Sequence, residues 1–221
     1  MQKFAATAPI TAVLDVAAGR VQLIAADRAD VAVEVRPATP GRGRDLKAAE
    51  QTLVEYRDGV LRVSTPEAAK RAFGPSGSVE VTVQLPAGSR VEATAAAADL
   101  RGVGRLGEVV FTGAAGTVKL DEASAARLTL QAGDIHLARL TGSAELTTTK
   151  GDLTVAEAHG GALALRTEAG DITVGVARGV SASLDAGTAY GRIGNALRNE
   201  GAPALTIRAT TSYGDIAARS L

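Results

Sequence analysis

A glycine step that recurs along the second half of the chain constrains the fold more than any other feature. It reads Gly116-Thr117-Val118, Gly133-Asp134-Ile135, Gly151-Asp152-Leu153, Gly170-Asp171-Ile172, Gly191-Arg192-Ile193 and Gly214-Asp215-Ile216, with Ala98-Asp99-Leu100 as a degenerate seventh. Successive glycines from Gly116 onward are 17, 18, 19, 21 and 23 residues apart. An apolar residue stands five positions before the glycine at Phe111, Leu128, Leu146 and Leu165, and Thr148 and Thr167 each stand three before it. Self-similarity at such a period marks a repeat architecture, in which each unit buries its apolar face only against its neighbours.

Within a unit the pattern has period two. Ile135 and Leu137 share a face, a break falls at Thr141-Gly142, and Ala144, Leu146 and Thr148 share a face again. The next unit repeats this with Leu153 and Val155, a break at His159-Gly160-Gly161, then Ala162 or Leu163 and Leu165. Alternation of this kind predicts short half-buried strands. Two or three of them per unit, with turns between, make one coil of a β-solenoid. Coils stack about 4.8 Å apart, so seven would build a parallel prism roughly 30 Å long. Counting in sixes from Ile135 lands on Thr141, Thr147 and Leu153, which is no run of inward aliphatics and disfavours the left-handed hexapeptide helix. The nine-residue calcium repeat is absent too. The expected fold is all-β, a right-handed single-stranded β-solenoid of about seven rungs over residues 91–221.

Residues 1–90 read differently. Strand-like runs occur at Ile10–Val16, Val21–Ala25, Val31–Val35, Leu53–Tyr56, Val60–Val63 and Val79–Leu85, and Arg57-Asp58-Gly59 between two of them is a hairpin signal. Asp45–Thr52 suits one short helix. This part is expected to be an N-terminal β-sheet cap, continuous with the solenoid as a single domain, because an uncovered first rung would expose a strand edge.

Composition narrows the function. Apolar residues make up 46% of the 221, enough for a core, but aromatics are only 3% and Met occurs once, so the core must be built from Ala, Val, Leu and Ile. Lys plus Arg equals Asp plus Glu at 24 each, which leaves no net field to draw the chain to nucleic acid or anionic lipid. The absence of Cys removes thiol nucleophiles and thiolate metal sites. Thr7, Pro9, Thr11 and Asp15 interrupt what would be the apolar core of a signal peptide, and no apolar run approaches the length of a membrane span. The expected location is the cytoplasm.

Gly19-Arg20-Val21-Gln22-Leu23, Val81-Thr82-Val83-Gln84-Leu85-Pro86-Ala87-Gly88 and the Gly-Asp-Ile/Leu steps after them give the chain a resemblance to the putative adhesin family of bacterial β-strand-repeat proteins, the toastrack type. The resemblance covers most of the chain. It implies a right-handed β-helix-like fold, no established enzymatic activity, and a bacterial source. Some members resemble parts of envelope-stress systems, which implies a regulatory partner protein as one alternative role.

The solenoid places Asp134, Asp152, Asp171 and Asp215 in one column. Paired carboxylates on a β-helix can form glycan-cleaving sites, one as acid and the other as base or nucleophile. The structural reading of the same step is a corner, where Gly supplies a positive φ and Asp bonds a nearby backbone amide as in an Asx-turn. Thr117 and Arg192 in place of Asp argue against a strict ligand set. His136 and His159 fall three and eight residues after their glycines, in different columns, so a two-histidine metal site is not expected. There is no nucleophile elbow and no phosphate-binding glycine loop. Tyr190 and Tyr213 both directly precede the glycine and should stack on adjacent rungs, as a stabilising pair or as a platform for a sugar face. Two loops could carry contacts, one with Arg42 and Arg44 and one with Arg71 and Phe73. The expected function is a non-catalytic interaction or assembly module without cofactor or metal, binding a protein or a copy of itself; the alternative is a glycan-binding or carbohydrate-active β-helix.

Overall fold

Period-two runs of small aliphatics flanked by glycine corners favour short parallel strands, and the computed structural model, which describes residues 1–65 and 77–221, contains seventeen strands and one helix among them. They fall into two units, Met1–Gly116 and Thr117–Leu221.

In the second unit the chain winds between two parallel sheets. One holds the C-terminal half of β8 (Val118–Ala132), then β10 (Ala144–Lys150), β12 (Gly161–Arg166), β16 (Leu205–Tyr213) and β14 (Ala182–Tyr190). The other holds the N-terminal half of β8, then β9 (Ile135–Leu140), β11 (Leu153–Ala158), β13 (Ile172–Val176), β17 (Ile216–Ser220) and β15 (Ile193–Ala196). Each Gly-Asp step carries the chain from the first sheet to the second. Columns of branched aliphatics run through the interior: Leu128, Leu146 and Leu165 in the first sheet, and Ile135, Leu153, Ile172 and Ile216 in the second, all buried. Outward positions pair opposite charges between rungs, as in Arg127–Glu145 at 3.2 Å and Arg139–Glu157 at 3.1 Å. These exposed pairs add little stability.

The all-β solenoid is therefore present, but its last rungs do not stack in chain order. β16–β17 lies directly on β12–β13, and β14–β15, which precedes it in sequence, sits outside it. The edge of this unit is β14–β15, and β16–β17 are interior to it. Side-chain chemistry accounts for the exchange. The interior slot needs apolar inward positions, which β16–β17 supplies as Leu205, Ile207, Ala209, Ile216 and Ala218. β15 would place Asn195 there, in register with Ala218. Burying an amide without partners costs roughly 1–3 kcal/mol, so the Asn-bearing rung belongs at the solvent end.

The first unit uses the same parallel pairing before residue 90. β2 (Thr11–Ala26) bends at Gly19 and lies between β7 (Arg90–Ala115) on one side and β5 (Val60–Ser64) with β6 (Val79–Pro86) on the other. Here too the stacking departs from chain order, because β5 and β6 lie on one side of β2 and β7, which follows them, lies on the other. Antiparallel strands finish this unit: β4 (Leu53–Arg57) on β5, β3 (Asp30–Pro37) on β6, and β1 (Gln2–Ala5) on β3. Asp58 and Gly59, at φ 51° and 75°, form the expected two-residue hairpin turn. Helix α1 (Gly43–Gln51) fills the place expected for Asp45–Thr52.

Candidate functional site

The corner of the second unit is built by three side-chain types acting between rungs. Glycine is required where the chain crosses from sheet to sheet: Gly151 and Gly170 have φ of 143° and 154°, and a Cβ on Gly170 would lie 2.0 Å from the Gly151 carbonyl oxygen. No side chain fits between rungs that close.

The aspartates follow. Asp152 N–H donates to Asp134 Oδ1 at 2.9 Å, Asp171 N–H to Asp152 Oδ1 at 2.8 Å, and Asp215 N–H to Asp171 Oδ1 at 2.8 Å. Every carboxylate in the series receives the corner amide of the next rung in space. The expected Asx-type bond within a rung is thus corrected to a bond between rungs. The physical reason is that at a corner the strand ladder is interrupted, so the amide of the Asp residue needs an acceptor that the neighbouring backbone does not offer.

The threonines three positions before each glycine do the reciprocal work. Thr148 donates its hydroxyl to the Gly133 carbonyl at 3.2 Å, Thr167 to Gly151 at 3.1 Å, Thr211 to Gly170 at 3.1 Å and Thr188 to Gly214 at 3.0 Å. The first three hydroxyl-bearing side chains are buried. Their function was missed in the sequence, although the spacing at Thr148 and Thr167 was visible and recurs at Thr188 and Thr211.

Arg192 ends the series. Its N–H donates to Asp215 Oδ1 at 2.8 Å, and its guanidinium reaches Asp215 Oδ2 at 2.8 and 3.2 Å. The Arg192 amide, with its guanidinium second, holds the Asp215 carboxyl below the usual carboxylate range; the bond to Asp215 raises Arg192 in turn. The outermost rung therefore offers no carboxylate for a further rung.

Tyr190 and Tyr213 stack as expected, with ring centroids 5.0 Å apart and planes 3° from parallel. They are 68% and 61% exposed. Arg42 precedes α1 and Arg44 lies within it; their guanidinium nitrogens stand 4.0 and 3.9 Å from the carboxylate of the buried Asp45. Arg71 and Phe73 lie outside the described residues. His136 is on β9, while His159 sits in the turn after β11 with Nε2 3.4 Å from Glu157 Oε1, so the two imidazoles are not brought together. Among the described residues no group of three or more His, Asp or Glu side chains is arranged to hold a metal ion. No described helix is long and apolar enough to cross a membrane.

A parallel solenoid whose corners are tied rung to rung by threonine and aspartate defines a β-strand-repeat protein of the toastrack class. The chain belongs to the Toastrack DUF4097 family, whose model matches residues 75–219. No curated protein matches it. Solved structures similar to it include a putative adhesin from Bacteroides fragilis NCTC 9343, at 13% identity and a TM-score of 0.46, covering 98% of this chain and 95% of that one. A putative cell adhesion protein from Clostridium sporogenes ATCC 15579 is similar at 12% identity and a TM-score of 0.39, over 100% and 98% of the two chains. A putative lipid binding protein from Parabacteroides distasonis ATCC 8503 is similar at 13% identity and a TM-score of 0.37, over 97% and 95%.

Proposed function

We propose that the protein is a non-catalytic interaction or assembly module that engages another protein chain through its solenoid. One observation carries this reading: Asp134, Asp152, Asp171 and Asp215 all accept a backbone amide of the neighbouring rung. The groups that would have supplied acid–base chemistry serve as scaffold instead. The experiment is affinity capture on the immobilised full chain from its native host, beside a hydrolysis screen on a glycan panel. Specific retention of a protein, with no turnover, is expected. Glycan turnover that disappears in Asp152→Ala would refute the reading.

A second reading rests on the exposed Tyr190–Tyr213 stack, whose outer ring face could meet the apolar face of a sugar. A glycan array probed with the parent chain and Tyr190→Ala tests it. Binding by the parent alone supports a glycan contact there, and no binding by the parent ends it.

A further inference from the structure

The outermost rung of the second unit differs from those beneath it. β14 pairs with β16 and β15 with β17, and no other strand among the described residues adds to either. The loop that returns from β15 touches β14 at its start, where Ala182 N–H donates to the Arg198 carbonyl at 3.0 Å. Beyond it the edge runs through the rest of β14, from residue 183 to 190, and the four residues of β15. Natural sheets blunt such edges with lysines, prolines, bulges or inward-pointing charges. This one has none of those: β14 carries a single ionised side chain, Asp185, and β15 carries none.

The core is open at this end. Ile193 continues the column of Ile216, Ile172 and Leu153, yet it is 47% exposed where they are at most 1%. Leu184 is half-buried in register with the buried Ile207, and a shallow groove of mixed lining, with Ser183, Asp185, Thr206 and Arg208 beside Leu184 and Ile207, opens next to it. Apolar inward residues on a terminal rung are consistent with a surface that is covered in the working molecule.

The charge of the edge and the end of the corner series together indicate what covers it. The ionised groups on this rung between residues 182 and 196 are Asp185 and Arg192, one of each sign, and each is paired with the rung beneath, Asp185 with Arg208 at 3.3 Å and Arg192 with Asp215 at 2.8 Å. A strongly acidic or basic partner gains nothing from such an edge, whereas a second identical edge meets no repulsion. A further rung added head to tail would place its corner amide over Arg192, which lacks the carboxylate that Asp134, Asp152, Asp171 and Asp215 supply below. That disfavours an open filament and leaves a closed, two-fold arrangement, in which two β14 edges pair antiparallel and each matches its own alternation of N–H and C=O groups.

We propose that the β14–β15 rung is a homodimerisation edge, two copies pairing antiparallel through β14 and covering Ile193 and Leu184. The proposal rests on the interaction-module reading and names its partner as a second copy. The test is sedimentation of the full chain across a wide concentration range, with Ile193→Lys and Leu184→Lys as edge-guarding variants and thermal melts of each. A parent at twice the chain mass, with both variants reduced to the chain mass and still melting cooperatively, is the expected result. Should a variant fail to fold, amide exchange on the parent decides: the β14 amides that alternate outward from Ala182, those of Leu184 and Ala186, should lose protection on dilution while those of β10 keep theirs. A parent that stays monomeric, or variants that fold and still dimerise, overturn the proposal. Affinity capture separates the two failures, because a monomer that retains a different protein overturns the homodimer and leaves the module reading standing. A monomer that retains nothing sinks both.

Discussion

The corner carboxylates make opposing contributions that substitution at Asp152 can separate. Asp152 Oδ1 accepts the Asp171 amide at 2.8 Å, and Asp152 itself is exposed between Asp134 and Asp171 in the column. Rungs about 4.8 Å apart set like unit charges to repel by roughly 0.9 kcal/mol in water, about 1.7 kcal/mol over two neighbours. The hydrogen bond, worth about 1–1.5 kcal/mol at an exposed position, opposes this. Asp152→Asn keeps an acceptor of the same shape and removes the charge, so at low salt it should equal or exceed the parent by up to about 1 kcal/mol. Asp152→Ala removes both and should fall below the Asn variant by about 1 kcal/mol. The repulsive part is screened over a Debye length of about 8 Å at 0.15 M, so raising salt should shrink the advantage of Asn over the parent but leave the Asn–Ala gap nearly unchanged. Urea unfolding of the three proteins at two salt concentrations reads these differences directly. Equal stability of the parent, Asn and Ala proteins at both salts would refute the inter-rung bond as a stabilising element, and Asn and Ala variants equally less stable than the parent would show that the charge is what the corner needs.

Further outcomes follow from the same geometry. Gly170→Ala forces a Cβ to 2.0 Å from the Gly151 oxygen at φ 154°, and should cost at least 3 kcal/mol or prevent folding, read as loss of the cooperative thermal transition. Thr167→Val keeps the buried shape but leaves the Gly151 carbonyl without its hydroxyl donor, lowering stability by about 1–2 kcal/mol, whereas Thr167→Ser should retain part of it; chemical denaturation distinguishes them. Asp215 has a depressed folded-state pKa, so its contribution is fully present above the ordinary carboxylate pKa of about 3.9 and is lost as the pH falls through the lower folded value. The protection factors of β14 and β15 amides, corrected for the intrinsic pH dependence of exchange, should therefore fall on acidification, and that fall should be absent in Asp215→Asn. A chain ending at residue 204 removes the strands that support both β12–β13 and β14–β15, and its circular dichroism should lose more β signal than the deleted residues account for.

Much of the corner was legible in the sequence. The Asp column and the Tyr190–Tyr213 stack both follow from one rule, that equal offsets from the glycine occupy equal places on successive rungs. What escaped was the direction of the bonds. An Asp after a positive-φ glycine suits a local turn equally well in any isolated unit, and only the neighbouring rung reveals the amide it serves. Thr188 and Thr211 were passed over for the same reason, since a hydroxyl has many local partners and the carbonyls it finds belong to other coils.

The alternation of inward aliphatics and the recurring glycine determine from sequence alone that this chain forms short strands joined by tight corners, since both are local constraints on backbone and burial. The order of the rungs is decided by tertiary structure. β14–β15 and β16–β17 carry nearly the same motif, Ala-Tyr-Gly-Arg-Ile against Ser-Tyr-Gly-Asp-Ile, and either could sit on β12–β13 by backbone pairing. The interior place goes to the rung with Ala218 and Asp215, while Asn195 and Arg192 go to the edge. Burial penalises a lone amide and the next corner amide needs a carboxylate, and both demands arise only once the rungs are stacked.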